Sequence, residues 1–169
     1  MIRPVRSFPD PVLGGRCAPI GEVDAAARAL AADLLDTMRA SAHSVGVAAP
    51  QIGVPLRAFC VDVTGHRKAR SCHGEVVLFD PVVVSTSGSE IAREGCMSVP
   101  DLTGDVRRAA ELVVRGIGVD GGERTLHLDA FEAPAVQHEL GPLAGLLFLD
   151  RVIGRDRVFR RGVYRGGTC

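Results

Sequence analysis

A histidine and a glutamate stand side by side at positions 138 and 139, within the stretch A-P-A-V-Q-H-E-L-G-P-L-A-G of residues 133–145. On a helix, a His-Glu pair followed one turn later by a second His grips a metal ion, because residues i and i+4 share a face. The Glu then handles protons. The position one turn after His138 is Pro142, which offers no donor to a metal and fits poorly inside a helix. Half of a hydrolytic signature is therefore present, with a break where the other half belongs. The preceding Gly141 adds to the helix-ending tendency, and the residue before a proline avoids helical angles, so this helix is predicted to stop at about Leu140. Pro134 suits a first turn. The two prolines then bracket a helix of roughly two turns.

Two further stretches carry polar groups in unusual settings. In S-V-G-V-A-A-P-Q-I-G, residues 44–53, small residues let backbone segments approach closely, and Gln51 is placed to point into a site. Taken alone, this stretch reads more readily as a structural turn than as a functional loop. In E-G-C-M-S-V-P, residues 94–100, Cys96 follows an acid and a glycine. The five cysteines at 17, 60, 72, 96 and 169 form no C-x-x-C pair, so free thiols are expected. Cys60 sits in an apolar strand pattern and reads as core.

The elements that must position these groups follow from periodicity. Val23, Ala27, Leu30, Leu34 and Met38 recur at helical spacing, predicting an amphipathic helix from Val23 to about Arg39. Residues 57–63 read as a strand, 64–74 as a polar loop with His66 and His73, and 75–79 as a second strand. A break at Pro81 leads to an extended run to Val84, and 85–89 reads as a loop. Residues 111–119 and 124–128 are strands joined by Asp120-Gly121-Gly122, a hairpin signal. Residues 146–149 read as a short strand, and the arginine-rich tail from Ile153 as a solvated end. Strands in the middle with a helix near each end make an α+β class.

Composition narrows the functions. A chain of 169 residues, 46% hydrophobic, suits one domain spanning 1–169 with a real core. Twenty basic and twenty acidic residues cancel, and no basic patch is interleaved with aromatics. Neither nucleic acid nor a membrane surface is expected as partner. The first residues resemble neither a signal peptide nor a membrane span, which makes the cytoplasm the default compartment. The expected partner is a small-molecule or peptide-like substrate, and the expected state a monomer or weak oligomer.

Taken together, S-V-G-V-A-A-P-Q, E-G-C-M-S-V-P and Q-H-E-L-G-P-L resemble the three motifs of peptide deformylases, in that family's order and spacing. The flanking phrases F-P-D-P-V-L, P-Q-I-G-V-P-L-R and L-F-L-D are similar as well, so the resemblance covers nearly the whole chain. It implies antiparallel sheets around a short central helix carrying His138-Glu139. It implies removal of N-formyl groups from nascent peptides with a divalent metal. By the resemblance, Cys96 and His138 match two metal ligands and Glu139 the acid/base. Gln51 and the N–H of Met97 match the oxyanion donors. Gly46 lies where the family's backbone runs beside substrate. Glu94 matches the acid before the Cys, with Arg107 or Arg108 as its partner.

Where the family pattern has Asp-His, this chain has Gly141-Pro142. A hydrolytic site normally has three protein ligands and an open position. The sequence therefore leads to the expectation of no metal, or of a weakly bound iron, zinc or nickel, with His43 the best-placed substitute ligand. It leads further to a non-standard enzyme. Cys96 beside His138 would supply a nucleophile pair for acyl transfer, amide or ester hydrolysis, or acid/base isomerisation, with little ordinary deformylation. Two alternatives stand beside it: a metal-dependent deformylase with an unusual ligand set, and an inactive ligand- or peptide-binding relative.

Overall fold

The computed structural model describes residues 1–162. Two helices and eight strands follow one another as α1 (Ala25–Ala40), β1 (Gly46–Ala48), β2 (Ala58–Val61), β3 (Val76–Ser87), β4 (Glu90–Cys96), β5 (Val99–Arg108), β6 (Glu111–Ile117), β7 (Glu123–Asp129), α2 (Glu132–Leu143) and β8 (Val158–Arg160). All pairings are antiparallel. They build a five-stranded sheet in the order β1-β2-β3-β6-β7 and a three-stranded sheet in the order β4-β5-β8. The class is α+β, as expected.

Alternation along β2 shows how the helices are held. Successive side chains of a strand point to opposite faces. Ala58 and Cys60 join a core with Leu30, Leu34 and Met38 of α1. Phe59 and Val61 join a second core with Ala133, Val136 and Leu143 of α2. The sheet is therefore apolar on both faces and lies between the two helices. Each leucine so buried contributes about 1.5–3 kcal/mol. A third, smaller core gathers Cys96, Val99 and Val106 of the three-stranded sheet with Leu147 and Phe148.

Helix α1 begins two residues later than its apolar repeat suggests. The Asp24 side chain accepts the Ala27 N–H at 2.8 Å and caps the helix, leaving Val23 outside. The strand expected to break at Pro81 runs on for twelve residues. The Asp80 backbone turns to φ 47°, and the ladder to β6 shifts register there rather than ending. The run 146–149 is not a strand; a 3-10 turn occupies Phe148–Arg151. The tail is not wholly a solvated end, because β8 pairs with β5 and completes the smaller sheet. Cys169 lies outside the described residues.

The largest departure concerns α2. It does not stop at Leu140 but continues through Pro142 to Leu143. Gly141 explains this. Part of the clash that drives a pre-proline residue out of the helical region involves its Cβ, and glycine has none. A Cβ there would also meet the Leu146 carbonyl at 3.0 Å. The ladder simply omits the bond to the His138 carbonyl, which the missing proline N–H would have made. The stop comes at Gly145 instead. Its φ of 75° reverses the chain, while Gly145 and Leu146 donate to the Pro142 and Gly141 carbonyls at 3.0 and 3.1 Å.

Candidate active site

The hairpin of β4 and β5 carries Cys96 at its tip. Pairing runs regularly from Glu90 opposite Arg108 to Gly95 opposite Thr103, then shifts so that Cys96 faces Val99. This brings Cys96 and Met97 to the wall of a cleft of about 1240 Å³, whose other walls come from residues 42–46 and from α2. Gln51 sits at the end of a 3-10 turn held by its own side chain: its Oε1 accepts the Ala48 N–H at 2.8 Å. Its Nε2 donates to Cys96 Sγ at 3.3 Å and to Ser98 Oγ at 3.2 Å. Two of the sequence motifs are thereby joined through one side-chain amide.

The third motif is joined through Glu94. Its Oε2 lies 2.8 Å from His138 Nδ1, and the Arg108 guanidinium grips both oxygens at 2.7 and 2.8 Å. Arg108, not Arg107, is therefore the partner; Arg107 reaches Ser89 instead. With Nδ1 committed to Glu94, the other ring nitrogen of His138 is left for a further partner, and Cys96 lines the same cleft. Burial pushes the Glu94 carboxyl up, but the bonds to Arg108 and His138 prevail and bring it to about 2. Burial likewise opposes charge on His138. The contacts with Cys96 and Glu94 outweigh it and hold the imidazole well above its usual value.

Glu139 behaves differently. Its carboxyl is fully enclosed, and burial raises it to about 7. One oxygen, Oε2, has no hydrogen-bond partner among the described residues. The other lies against Gly46, where a Cβ would come within 2.6 Å of Oε1. Gly46 thus makes room for the carboxyl. A buried carboxyl oxygen without a partner marks a place where something else completes the site.

The sequence reasoning missed three supporting residues. Ser98 accepts from Gln51, inside a motif that drew attention only to Cys96. Gln137 pins α2 to the β5–β6 turn by exchanging bonds with both backbone groups of Ala109, at 3.0 and 2.9 Å. Its place immediately before His138 was the available signal. Phe148 stacks on His138 with ring centroids 6.3 Å apart. Phe148 also packs beside Gly104 of β5, where a Cβ would meet the ring at 3.2 Å and Val152 at 2.7 Å.

None of the other histidines joins Cys96 and His138 in a metal-sized group among the described residues. His43 lines the cleft mouth at φ 63°, yet no group of three or more His, Cys, Asp or Glu suited to a metal exists among the described residues. His66 stacks on Phe131 at 3.6 Å, and His73 bonds Glu132 at 3.0 Å. His127 is exposed on β7.

A fold of antiparallel sheets around a helix that presents His-Glu to a cysteine defines a hydrolase of the deformylase class. The sequence model described as polypeptide deformylase matches residues 2–158, and the chain belongs to that family. A peptide deformylase from Syntrophobacter fumaroxidans is 40% identical over 157 residues, 92% of this chain and 89% of the relative. The crystal structure of a peptide deformylase from Legionella pneumophila superposes with a TM-score of 0.82 at 33% identity, covering 90% of this chain and 86% of that one. A Met-Ala-Ser-bound class I type b peptide deformylase from Acinetobacter baumannii superposes with a TM-score of 0.80 at 28% identity, over 90% and 99% of the two chains.

These likenesses overturn the expectation of a non-standard enzyme built on a Cys96–His138 nucleophile pair. That expectation weighed one lost ligand above everything else. The relatives resemble this chain over nearly its full described length and carry the deformylase name. The geometry explains the misjudgement: the network around Cys96 and His138 is supported from β4 and β5 and does not depend on position 142.

Peptide deformylases use a divalent metal. The donors here fit such an ion at two positions: a thiol and an imidazole converge, and the imidazole is oriented by a carboxylate as metal-bound histidines are. The orphaned Glu139 oxygen lies on the residue next to His138. Position 142 supplies no third donor.

Proposed function

We propose that this chain removes the formyl group from the N-terminus of peptides: the amide bond and one water give formate and a free amine. The observation that carries the reading is one cleft lined by Cys96, held by Gln51, and by His138, held by Glu94 and Arg108, with the unpartnered Glu139 oxygen beside them. Membership in the deformylase family and the Met-Ala-Ser bound by the Acinetobacter baumannii protein support it.

Cys96 and His138 would hold the divalent ion, which when bound acidifies water and polarises a carbonyl. Two protein donors leave more of its positions open than three would, so its affinity is lower. The rest falls to the protein's own groups. Glu139, raised to about 7, takes a proton from water and returns it to the departing amine near neutral pH. The Gln51 amide and the Met97 N–H stabilise the developing oxyanion. Gly46 lets the backbone pack directly against the Glu139 carboxyl, where any side chain would collide with it. Val45, Phe131, Pro134 and Ala135 line an apolar part of the cleft suited to the first side chain of the peptide. Substrates would be nascent peptides, met in the cytoplasm.

The test is formate release from formyl-Met-Ala-Ser by protein supplied with iron(II), nickel(II) or cobalt(II). Turnover is expected, and Glu139→Gln should lower kcat by about 100- to 10,000-fold. An unsupplemented and a metal-supplemented protein that both release no formate would overturn the reading.

A further inference from the structure

The charges around the cleft mouth are one-sided. Loop residues 64–74 read T-G-H-R-K-A-R-S-C-H-G, with Arg67, Lys68 and Arg70 and no acid. His66 and Arg67 of this loop line one side of the cleft. The loop is held in place rather than trailing. Ser71 exchanges bonds with Asp129 at 2.8 and 2.9 Å, His73 bonds Glu132, and His66 stacks on Phe131. These contacts fix the loop to Asp129 at the end of β7 and to Glu132 at the start of α2. Burial, and then Lys68 and Arg67, lower the His66 imidazole below its usual value.

Arg161 lines the cleft from the other sheet. Its guanidinium lies against Gly95, where any side chain would collide with it, one residue from Cys96. Its backbone N–H is fixed by the Asp101 carbonyl at 2.8 Å. The remaining charges in the cleft are balanced. Arg93 is bound to Asp105 at 2.6 Å and lies over the Phe159 ring. Glu94 is held by Arg108, and Glu139 is buried with its carboxyl raised. Neither Arg67, Lys68, Arg70 nor Arg161 has an ion pair among the described residues. In a chain with no net charge, this positive rim is a local arrangement.

We propose that Arg67 and Arg161 select peptides bearing a carboxylate a few residues after the formylated one. The inference rests on the deformylase reading for the direction in which a peptide lies. Arg67 and Arg161 both line the cleft that Cys96 and His138 line, so a peptide that continues along it past those residues comes to these cations. RNA would call for a positive surface that extends away from the cleft, and opposing walls of a cleft suit a peptide better. A side chain and the end of a short peptide both supply such a carboxylate, and amidation separates the two.

Binding is measured first, with product peptides that need no turnover: Met-Ala-Asp-amide, Met-Ala-Ser-amide, Met-Ala-Lys-amide and Met-Ala-Ser with a free carboxylate. The Asp amide should bind about fivefold more tightly than the Ser amide, with the Lys amide weakest and the preference reduced by 0.2 M salt. A gain for free Met-Ala-Ser over its amide assigns the terminal carboxylate as well. In Arg67→Gln/Arg161→Gln the Asp-to-Ser ratio should fall to about one, both for binding and for kcat/KM with the formylated peptides. Arg115→Gln, on β6 outside the cleft, should keep it. Equal binding of the Asp, Ser and Lys amides, or a preference that survives the double substitution, overturns the proposal. So does displacement of peptides by a 12-nucleotide RNA in the absence of any charge preference among them. Selective binding without formate release would sink the deformylase reading and leave this one standing; formate release without selectivity would do the reverse.

Discussion

Residues 132–139 and 140–145 lie on one continuous helix and its cap, yet their surroundings differ sharply. In the first half every polar side chain that faces the protein has a role. Glu132 holds His73, Gln137 exchanges bonds with Ala109, His138 meets Glu94, and Glu139 keeps one oxygen open. The second half offers packing alone. Pro142 and Leu143 are buried, and their carbonyls receive the thiol and the backbone N–H of Cys17 at 3.9 and 3.2 Å. The site half is fastened to the β4–β5 hairpin, the other half to the segment around Cys17. A change at 142 can thus remove a metal donor while leaving the array around His138 in place.

The strongest way to break this contrast is to cut the fastening on the site half. Glu94→Ala leaves Arg108, only 5% exposed at its side chain, buried without its partner. Denaturant unfolding should show a loss of about 3–5 kcal/mol. Metal affinity should fall about 10- to 100-fold as His138 loses its orienting carboxylate. A loss below about 1 kcal/mol would mean that α2 is anchored elsewhere.

A second change would erase the contrast instead. Gly141→Asp with Pro142→His supplies the absent donor, and affinity for zinc or nickel should rise at least about tenfold, since a direct ligand is worth no less than its orienting neighbour. The Leu146 carbonyl crowds position 141, so Pro142→His alone should be titrated beside it. Unchanged affinity in both would show that position 142 does not face the other donors. The mildest change is Pro142→Ala. It restores a donor for the His138 carbonyl and loosens the unfolded chain, two effects that oppose. Stability should stay within about 1 kcal/mol and formate release should be unaltered. A large fall in activity would show that the proline itself shapes the site.

Much of this was legible in the residues. The apolar run of β2, the D-G-G hairpin and the apolar stripe of α1 are each local signals, and each element is present. So is the meeting of Gln51, Cys96, His138 and Glu94, which rests on family motifs rather than on any spacing a reader could fold by hand. Strands β4 and β5 were hidden because charged residues such as Arg93, Asp101 and Asp105 interrupt their alternation. The end of α2 was misplaced because Gly141 was read as helping to end the helix, whereas its missing Cβ lets Pro142 follow within it, and because Gly145 is the residue that turns the chain. The rim was out of reach altogether. Nothing in the order of residues says that Arg67 and Arg161 share one cleft.

Gly104 has no side chain, is buried, and lies outside the cleft wall. A single methyl group there would press on Phe148, whose ring rests against His138. In a screen of random variants, inactive clones should therefore gather at this unremarkable position as well as at the polar ones. A search for drug-resistance changes that sequences only the cleft would overlook it.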